Sequence, residues 1–230
     1  MGLGDDLNSE VRKILQETWS KRTGQVIPEA DDLKLGNDAV ILDGTVLYAD
    51  LDDSTRLVDT KKPFFAAEIY KCYLVCAARI IRSEGGEITS YDGDRVMAVF
   101  IGNSKNSSAA RTALKINYAV KNIVNPAIKK QYPKTNYSVK HVVGIDTSEL
   151  FVARTGIRGA NDLVWVGRAA NYAAKLSARS GPPTQITSDV YDMLHKNSKF
   201  GQNGKNMWTS TTAPEIGNKR IYTSTWWWSV

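Results

Sequence analysis

The chain has 230 residues, 42% hydrophobic and 23% charged, with two cysteines and a formal charge of +6. This is long enough for one full hydrophobic core, and the composition is that of a folded globular protein, not a disordered or disulfide-stapled one. No uncharged run approaches the roughly 18 residues of a membrane span, and the first 13 residues lack the apolar centre of a signal peptide, so a cytoplasmic protein with no membrane partner is expected.

Taken in chain order, residues 7–22 read as a helix, with apolar residues of "VRKILQETW" at helical spacing. Residues 23–43 read as an irregular acidic connector. Residues 44–51 are strand-like. A long helix spans 63–83, with Pro63 suited to its first turn and Gly85-Gly86 as its stop. Cys72 and Cys76 fall on this helix four residues apart and read as two small buried thiols. Two strands, 87–92 and 95–101, flank the hairpin signal around Gly93. A second long helix covers 107–130. Strands are expected at 138–146, 150–155 and 163–166, then a helix at 168–179 closed by "GPP". "QITSDVYDMLHK" reads as a short strand and a helix capped by Ser188. Residues 206–228 read as two strands joined near "PEIGN".

From residue 44 the order is β-α-β-β-α-β with further strands and helices after it. The expected class is α+β: a ferredoxin-like core with an antiparallel-rich sheet and helices packed against one face. The chain divides into an N-terminal helix and connector, 1–43, and a core, 44–230.

Charge is uneven. The first 40 residues carry a net −3, leaving +9 for the remainder, and residues 121–140 hold five lysines and no acid. Such a run is read as a solvated helix face and loop. The shared β-α-β-β-α-β topology also occurs in RNA-binding domains, which stack bases on strand aromatics. "YDGDRVMAVF" has too few aromatics at that spacing, so no nucleic-acid partner is expected.

Chemistry concentrates at two places. In "YADLDDSTRLV" an apolar run ends in Asp50, Asp52 and Asp53. Buried charge is costly unless paired or bound to a metal. In "GGEITSYDGDRVMAVF" Asp92 and Asp94 flank Gly93. A β-α-β-β unit sets the end of its first strand beside this hairpin, so Asp50 and Asp94 are expected as neighbours. Two such carboxylates repel unless a cation bridges them, and hard oxygen ligands suit Mg²⁺ or Mn²⁺. Ser54, Thr55 and Arg56 follow at a helix start and offer donors to phosphate. Taken singly, each Asp reads as well as a helix cap or a turn residue.

Residues 44–196 resemble the catalytic domain of class III nucleotidyl cyclases. The resemblance rests on four motifs in order: Tyr48-Ala49-Asp50-Leu51 through Thr55; Gly85-Gly86 with Gly93-Asp94 and Ala98-Val99-Phe100; Gly144-Ile145-Asp146-Thr147-Ser148-Glu149; and Gly167-Arg168-Ala169-Ala170-Asn171 through Lys175-Leu176. It implies two divalent cations, Mn²⁺ or Mg²⁺, held by Asp50, Asp94 and the Leu51 carbonyl. It implies ribose 3′-hydroxyl attack on the α-phosphate of a nucleoside triphosphate. It also implies a head-to-tail homodimer in which Asn171 and Lys175 of one protomer serve the site of the other.

The departures from the family lie around the base. Ser90 and Val164 stand where adenylate cyclases place their purine readers, Tyr48 replaces Phe, Trp165 is bulky, and Arg168 replaces Asp. Lys175 replaces Arg, keeping charge while losing the planar fork. A pocket of Tyr, Trp and Arg suits a pyrimidine, and the pattern resembles the pyrimidine cyclases of bacterial anti-phage defence (Pycsar systems). That implies UTP as favoured substrate, with Tyr48, Ser90, Val164, Trp165 and Arg168 around the base, and a cyclic-pyrimidine-responsive effector as indirect partner. A cytidylate or adenylate cyclase, and a non-catalytic nucleotide-binding relative, stay open at this point. So do the roles of Trp226–Trp228 and of the acidic first 40 residues.

Overall fold

A computed structural model describes residues 2–230. In chain order the elements are α1 (Leu3–Gln16), β1 (Ser20–Thr23), β2 (Asp38–Leu51), α2 (Ser54–Thr60), α3 (Pro63–Ser83), β3 (Glu87–Asp92) and β4 (Arg95–Phe100). Then follow α4 (Lys105–Ala119), α5 (Asn125–Gln131), β5 (His141–Ile157), β6 (Ala160–Val166), α6 (Arg168–Ser177) and β7 (Thr184–Thr187). The last are α7 (Ser188–Asp192), α8 (Lys196–Lys199), β8 (Thr209–Ala213) and β9 (Lys219–Ser224). One mixed sheet runs β3-β4-β2-β5-β7-β9-β8, with β1 added to β2 and β6 to β5. The β5–β7 and β1–β2 pairs are parallel, and the rest are antiparallel.

β2 is the spine of the sheet. It is apolar at nearly every position because both its faces are covered. Leu47, Ala49 and Leu51 meet the core under α3 and α4. Val40, Leu42 and Val46 meet a second core closed by Ala169, Ala170 and Ala173 of α6. Helices therefore lie on both faces, not on the one face expected from the sequence. The close seat of α6 depends on Gly144, where a Cβ would fall 2.2 Å from the Ala173 carbonyl oxygen.

α3 matches its sequence limits. Phe65, Ile69, Tyr73, Ala77 and Ile80 form its buried stripe, and Gly85 at φ +81° ends it. Of its two cysteines, Cys72 is exposed and Cys76 half-buried, so they are not a buried pair. The second long helix is broken by a π-turn at Val120–Val124. Pro126 lies just beyond and has no N–H to give to the preceding turn, which widens the helix there.

Several boundaries differ from the sequence reading: α1 starts at Leu3 and β6 at Ala160, and three further differences have a visible cause. The first helix stops at Gln16, because the Asn37 side-chain amide donates to the carbonyls of Ile14 (2.8 Å) and Glu17 (2.7 Å). The chain then forms β1 on β2 instead of continuing to residue 22. β2 starts at Asp38, so the strand crosses the division drawn between 43 and 44. The strands expected at 138–146 and 150–155 are one strand, β5. Its polar centre is absorbed by pairing: Thr45 Oγ1 donates to Thr147 Oγ1 (3.1 Å), and Thr147 Oγ1 to the Gly44 carbonyl (3.2 Å). In addition, α7 is capped by Thr187, whose hydroxyl accepts from the Val190 N–H, not by Ser188.

Candidate active site

Strand alternation sends Val46, Tyr48 and Asp50 to one face of β2. Ala49 pairs with Val96 of β4, which carries the end of β2 beside the β3–β4 hairpin. Gly93 takes φ +61° at the tip, and Asp94 follows it. Asp50, Leu51, Asp52, Ser54, Asp94 and Arg95 line one cleft of about 720 Å³, closed on its far side by Lys140 and by Ser177, Ala178 and Ser180 at the end of α6. Ser180 Oγ donates to Asp52 Oδ1 (2.9 Å), and the Asp52 N–H donates to the Lys140 carbonyl (3.0 Å). These bonds tie the α6–β7 loop to the strand end. Below the cleft, the Tyr73 hydroxyl donates to the Asp50 carbonyl at 3.3 Å.

The electrostatics are those of a pair without a counter-charge between its members. Burial, then the charge of Asp94, pushes Asp50 from its ordinary 3.8 to about 6, with Arg95 partly offsetting. Asp94 Oδ2 is buried and has no hydrogen-bond partner. Among the described residues no cluster of three or more His, Cys, Asp or Glu side chains could hold a metal by itself. Two carboxylates and a carbonyl fit Mg²⁺ or Mn²⁺ shared with substrate phosphates, because such ions take one or two carboxylates and complete their shell elsewhere. The donor set therefore fits the cation the sequence implied, through Asp50, Asp94 and Leu51.

The base-pocket residues separate. Ser90, Met97, Tyr48 and Gly144 form one row across β3, β4, β2 and β5, so Ser90 and Tyr48 share a face two strands apart. Val164 and Trp165 point to opposite faces of β6: Val164 is exposed, and Trp165 packs on the α6 core. Arg168 does not line the cleft of its own protomer. Its Nε donates to Asp146 Oδ2 (3.0 Å), its Nη2 donates to the Thr147 carbonyl (2.7 Å), and it also pairs with Asp189. Thr55 and Arg56 are exposed on α2 outside the cleft, and Arg56 lies 3.8 Å from Asp53. Asn171 and Lys175 stand one turn apart on the exposed face of α6, opposite Ala169, Ala173 and Leu176.

The structure adds two residues that the sequence reading passed over. Arg95 lies with its guanidinium carbon 5.2 Å from the Tyr48 ring centroid, is held by Asp92 at 2.7 Å, and has a buried Nε without a partner. Its signal was its place immediately after Asp94, diagonal to Tyr48 across the β2–β4 pair. Lys140 is the one lysine of the 121–140 run that lines the cleft.

No protein-family model matches the chain. The adenylyl cyclase CyaB from P. aeruginosa superposes with a TM-score of 0.63 at 19% identity, covering 81% of this chain and 95% of that one. The fold is thus that of the class III nucleotide cyclases. Uridylate cyclases of Xanthomonas perforans and Burkholderia cepacia are 53% and 54% identical to the chain over the full length of both partners. The chain belongs to this uridylate cyclase family of nucleotide cyclases.

Proposed function

We propose that the protein converts UTP to 3′,5′-cyclic UMP and pyrophosphate, in a head-to-tail homodimer with shared sites. The observation that carries this reading is the Asp50–Asp94 couple in a cleft that Arg95 also lines, with the Tyr48 ring 5.2 Å from the Arg95 guanidinium carbon. Asp50, Asp94 and the Leu51 carbonyl would hold divalent cations, which when bound would supply activation of the ribose 3′-oxygen and charge neutralisation for the departing pyrophosphate. The 3′-oxygen bonds to the α-phosphorus, the bond to the β-phosphate oxygen breaks, and the hydroxyl proton leaves to water in the open cleft. Lys140 and the Ser54 hydroxyl lie where they can hold the phosphate chain. Tyr48 limits the depth of the base pocket, and Arg95 offers donors to the two carbonyls of uracil. Asn171 and Lys175, displayed away from their own cleft, serve the partner's ribose and α-phosphate.

The reading extends to the cell: a cytoplasmic enzyme of anti-phage defence whose cyclic product activates an effector. The full-length similarity to uridylate cyclases supports the substrate, and the resemblance to Pycsar cyclases supports the role. Among the described residues no helix is long and apolar enough to cross a membrane. The test is incubation with ATP, GTP, CTP and UTP separately, with Mg²⁺ and with Mn²⁺, with products identified by mass spectrometry and Asp94→Ala protein as control. Cyclic UMP from the wild type alone is the expected result. Cyclic AMP in its place would overturn the base assignment and keep the metal site.

A further inference from the structure

α1 buries none of its side chains. Leu3, Leu7, Val11, Ile14 and Leu15 are each between 52% and 79% exposed, although they form one stripe along the helix. A stripe that repeats over 14 residues without a partner is not scattered surface hydrophobicity. The helix is nonetheless anchored. Asn37 holds its last carbonyls, and Trp19 just beyond it packs edge-on against Phe151 of β5 at 4.9 Å.

The apolar surface continues from that anchor. Phe151 pairs with Val166, and Ala153 with Val164, so these side chains share one face of the sheet with Trp19. Val164 and Val166 are exposed, and at the far tip Ile157 is exposed as well. β6 leads through Gly167 directly into α6, which displays Asn171 and Lys175.

We propose that a second copy of this chain covers the apolar face of α1 and the Trp19–Val166–Val164 strip, and that α1 is a dimerisation element of the shared-site assembly. The proposal rests on the shared-site reading above. A single chain leaves the site incomplete, because Asn171 and Lys175 do not line their own cleft. The occupant is also indicated by charge. The first 40 residues carry −3 and the remainder +9, so the segment bearing α1 is complementary to the body of another copy. A lipid surface fits less well: α1 holds three acids against two bases, whereas helices that lie on anionic membranes carry a lysine- and arginine-rich polar face.

The test is sedimentation equilibrium of the full chain and of the double variant Leu7→Glu/Ile14→Glu, with Ser9→Glu as a polar-face control. Neither altered side chain has a core contact to lose, and circular dichroism checks that the fold is kept. The expected result is a dimer dissociation constant raised about tenfold, with half-maximal activity moved to a protein concentration higher by the same factor and recovered at higher protein. The control should behave as wild type. A shift of less than about threefold in the double variant overturns the proposal. So does α1-dependent binding to phosphatidylglycerol vesicles with dimerisation unchanged. The shared-site reading has its own readout in the wild-type α1 background: mixed Asp94→Ala and Asn171→Ala proteins should regain activity. Failure to regain it in a dimeric mixture sinks that reading, whatever the sedimentation result.

Discussion

Arg95 is fixed from two sides, by the Asp92 carboxylate at 2.7 Å and by the Tyr48 ring at 5.2 Å, while its buried Nε stays without a partner. An anchored guanidinium with a spare donor is preorganised: it loses little freedom on meeting an acceptor. Arg95 also lines the Asp50–Asp94 cleft, so the stack it makes with Tyr48 adjoins the two carboxylates.

The first prediction concerns this stack. Arg95→Met should lower kcat/KM for UTP by roughly 10- to 100-fold, the worth of one charge-assisted hydrogen bond. Dimerisation should be unchanged. Tyr48→Ala should widen the pocket and raise turnover of ATP relative to UTP. Competition assays with mixed nucleotides read both effects. An unchanged UTP preference in both variants would remove the stack from base recognition.

The second prediction follows from Asp50. Its folded pKa of about 6 lies above the ordinary 3.8, so the native protein without metal binds the extra proton between those values. Stability of the metal-free protein should therefore fall as pH rises from about 4 to about 6, and the penalty should be fully present above that. Asp50→Asn should remove this slope and stabilise the metal-free protein at pH 7.5, while abolishing turnover. Metal binding needs the carboxylate, so affinity for Mn²⁺ should drop as pH falls through about 6. Denaturant titrations with EDTA and calorimetric metal titrations at several pH values measure these effects.

The third prediction has the opposite sign. His141 is buried beside Tyr73 and pairs with Leu51 across the β2–β5 ladder, and burial lowers its pKa from 6.5 to about 4. The unfolded chain takes up a proton between those values and the native chain does not. Stability should fall as pH drops from about 6.5 to about 4, by on the order of 3 kcal/mol for a shift of this size. His141→Phe should flatten that limb without touching the slope from Asp50. Urea midpoints of wild type, His141→Phe and Asp50→Asn between pH 4 and 8 separate the two.

Much of this was legible in the sequence, for physical reasons that also explain the rest. The start and stop signals Pro63, Gly85-Gly86 and "GPP" located α3 and the end of α6, and the turn signal at Gly93 located the β3–β4 hairpin. The Asp50–Asp94 juxtaposition followed from topology alone. The continuity of β5 was not legible, because Thr147 and Ser148 read as a break until Gly44 and Thr45 are placed opposite them. The early start of β2 was hidden by Asp38, whose carboxylate is occupied by Arg22 and the Lys34 N–H. The partners of a long side chain are the hardest to read. Arg168 was read as a base-pocket residue because it replaces the family's Asp in the fourth motif, and nothing local announced Asp146, 22 residues earlier, as its partner.

That pairing gives the last prediction. Asp146 is fully buried, and burial raises its pKa while Thr187 and Arg168 hold it charged. Its Oδ1 accepts from Thr187 Oγ1 at 2.5 Å and its Oδ2 from Arg168 Nε at 3.0 Å. Removing the guanidinium leaves a buried carboxylate with the Thr187 hydroxyl and the Thr147 backbone N–H but no counter-charge from Arg168, which costs about 3 kcal/mol when a buried pair is broken from one side. Arg168→Ala should therefore lower the urea midpoint clearly while the ratio of UTP to CTP turnover stays that of the wild type. The double variant Arg168→Met/Asp146→Leu should recover most of the lost stability, because both charges then leave the interior together. A changed nucleotide ratio with stability intact would instead return Arg168 to the base pocket.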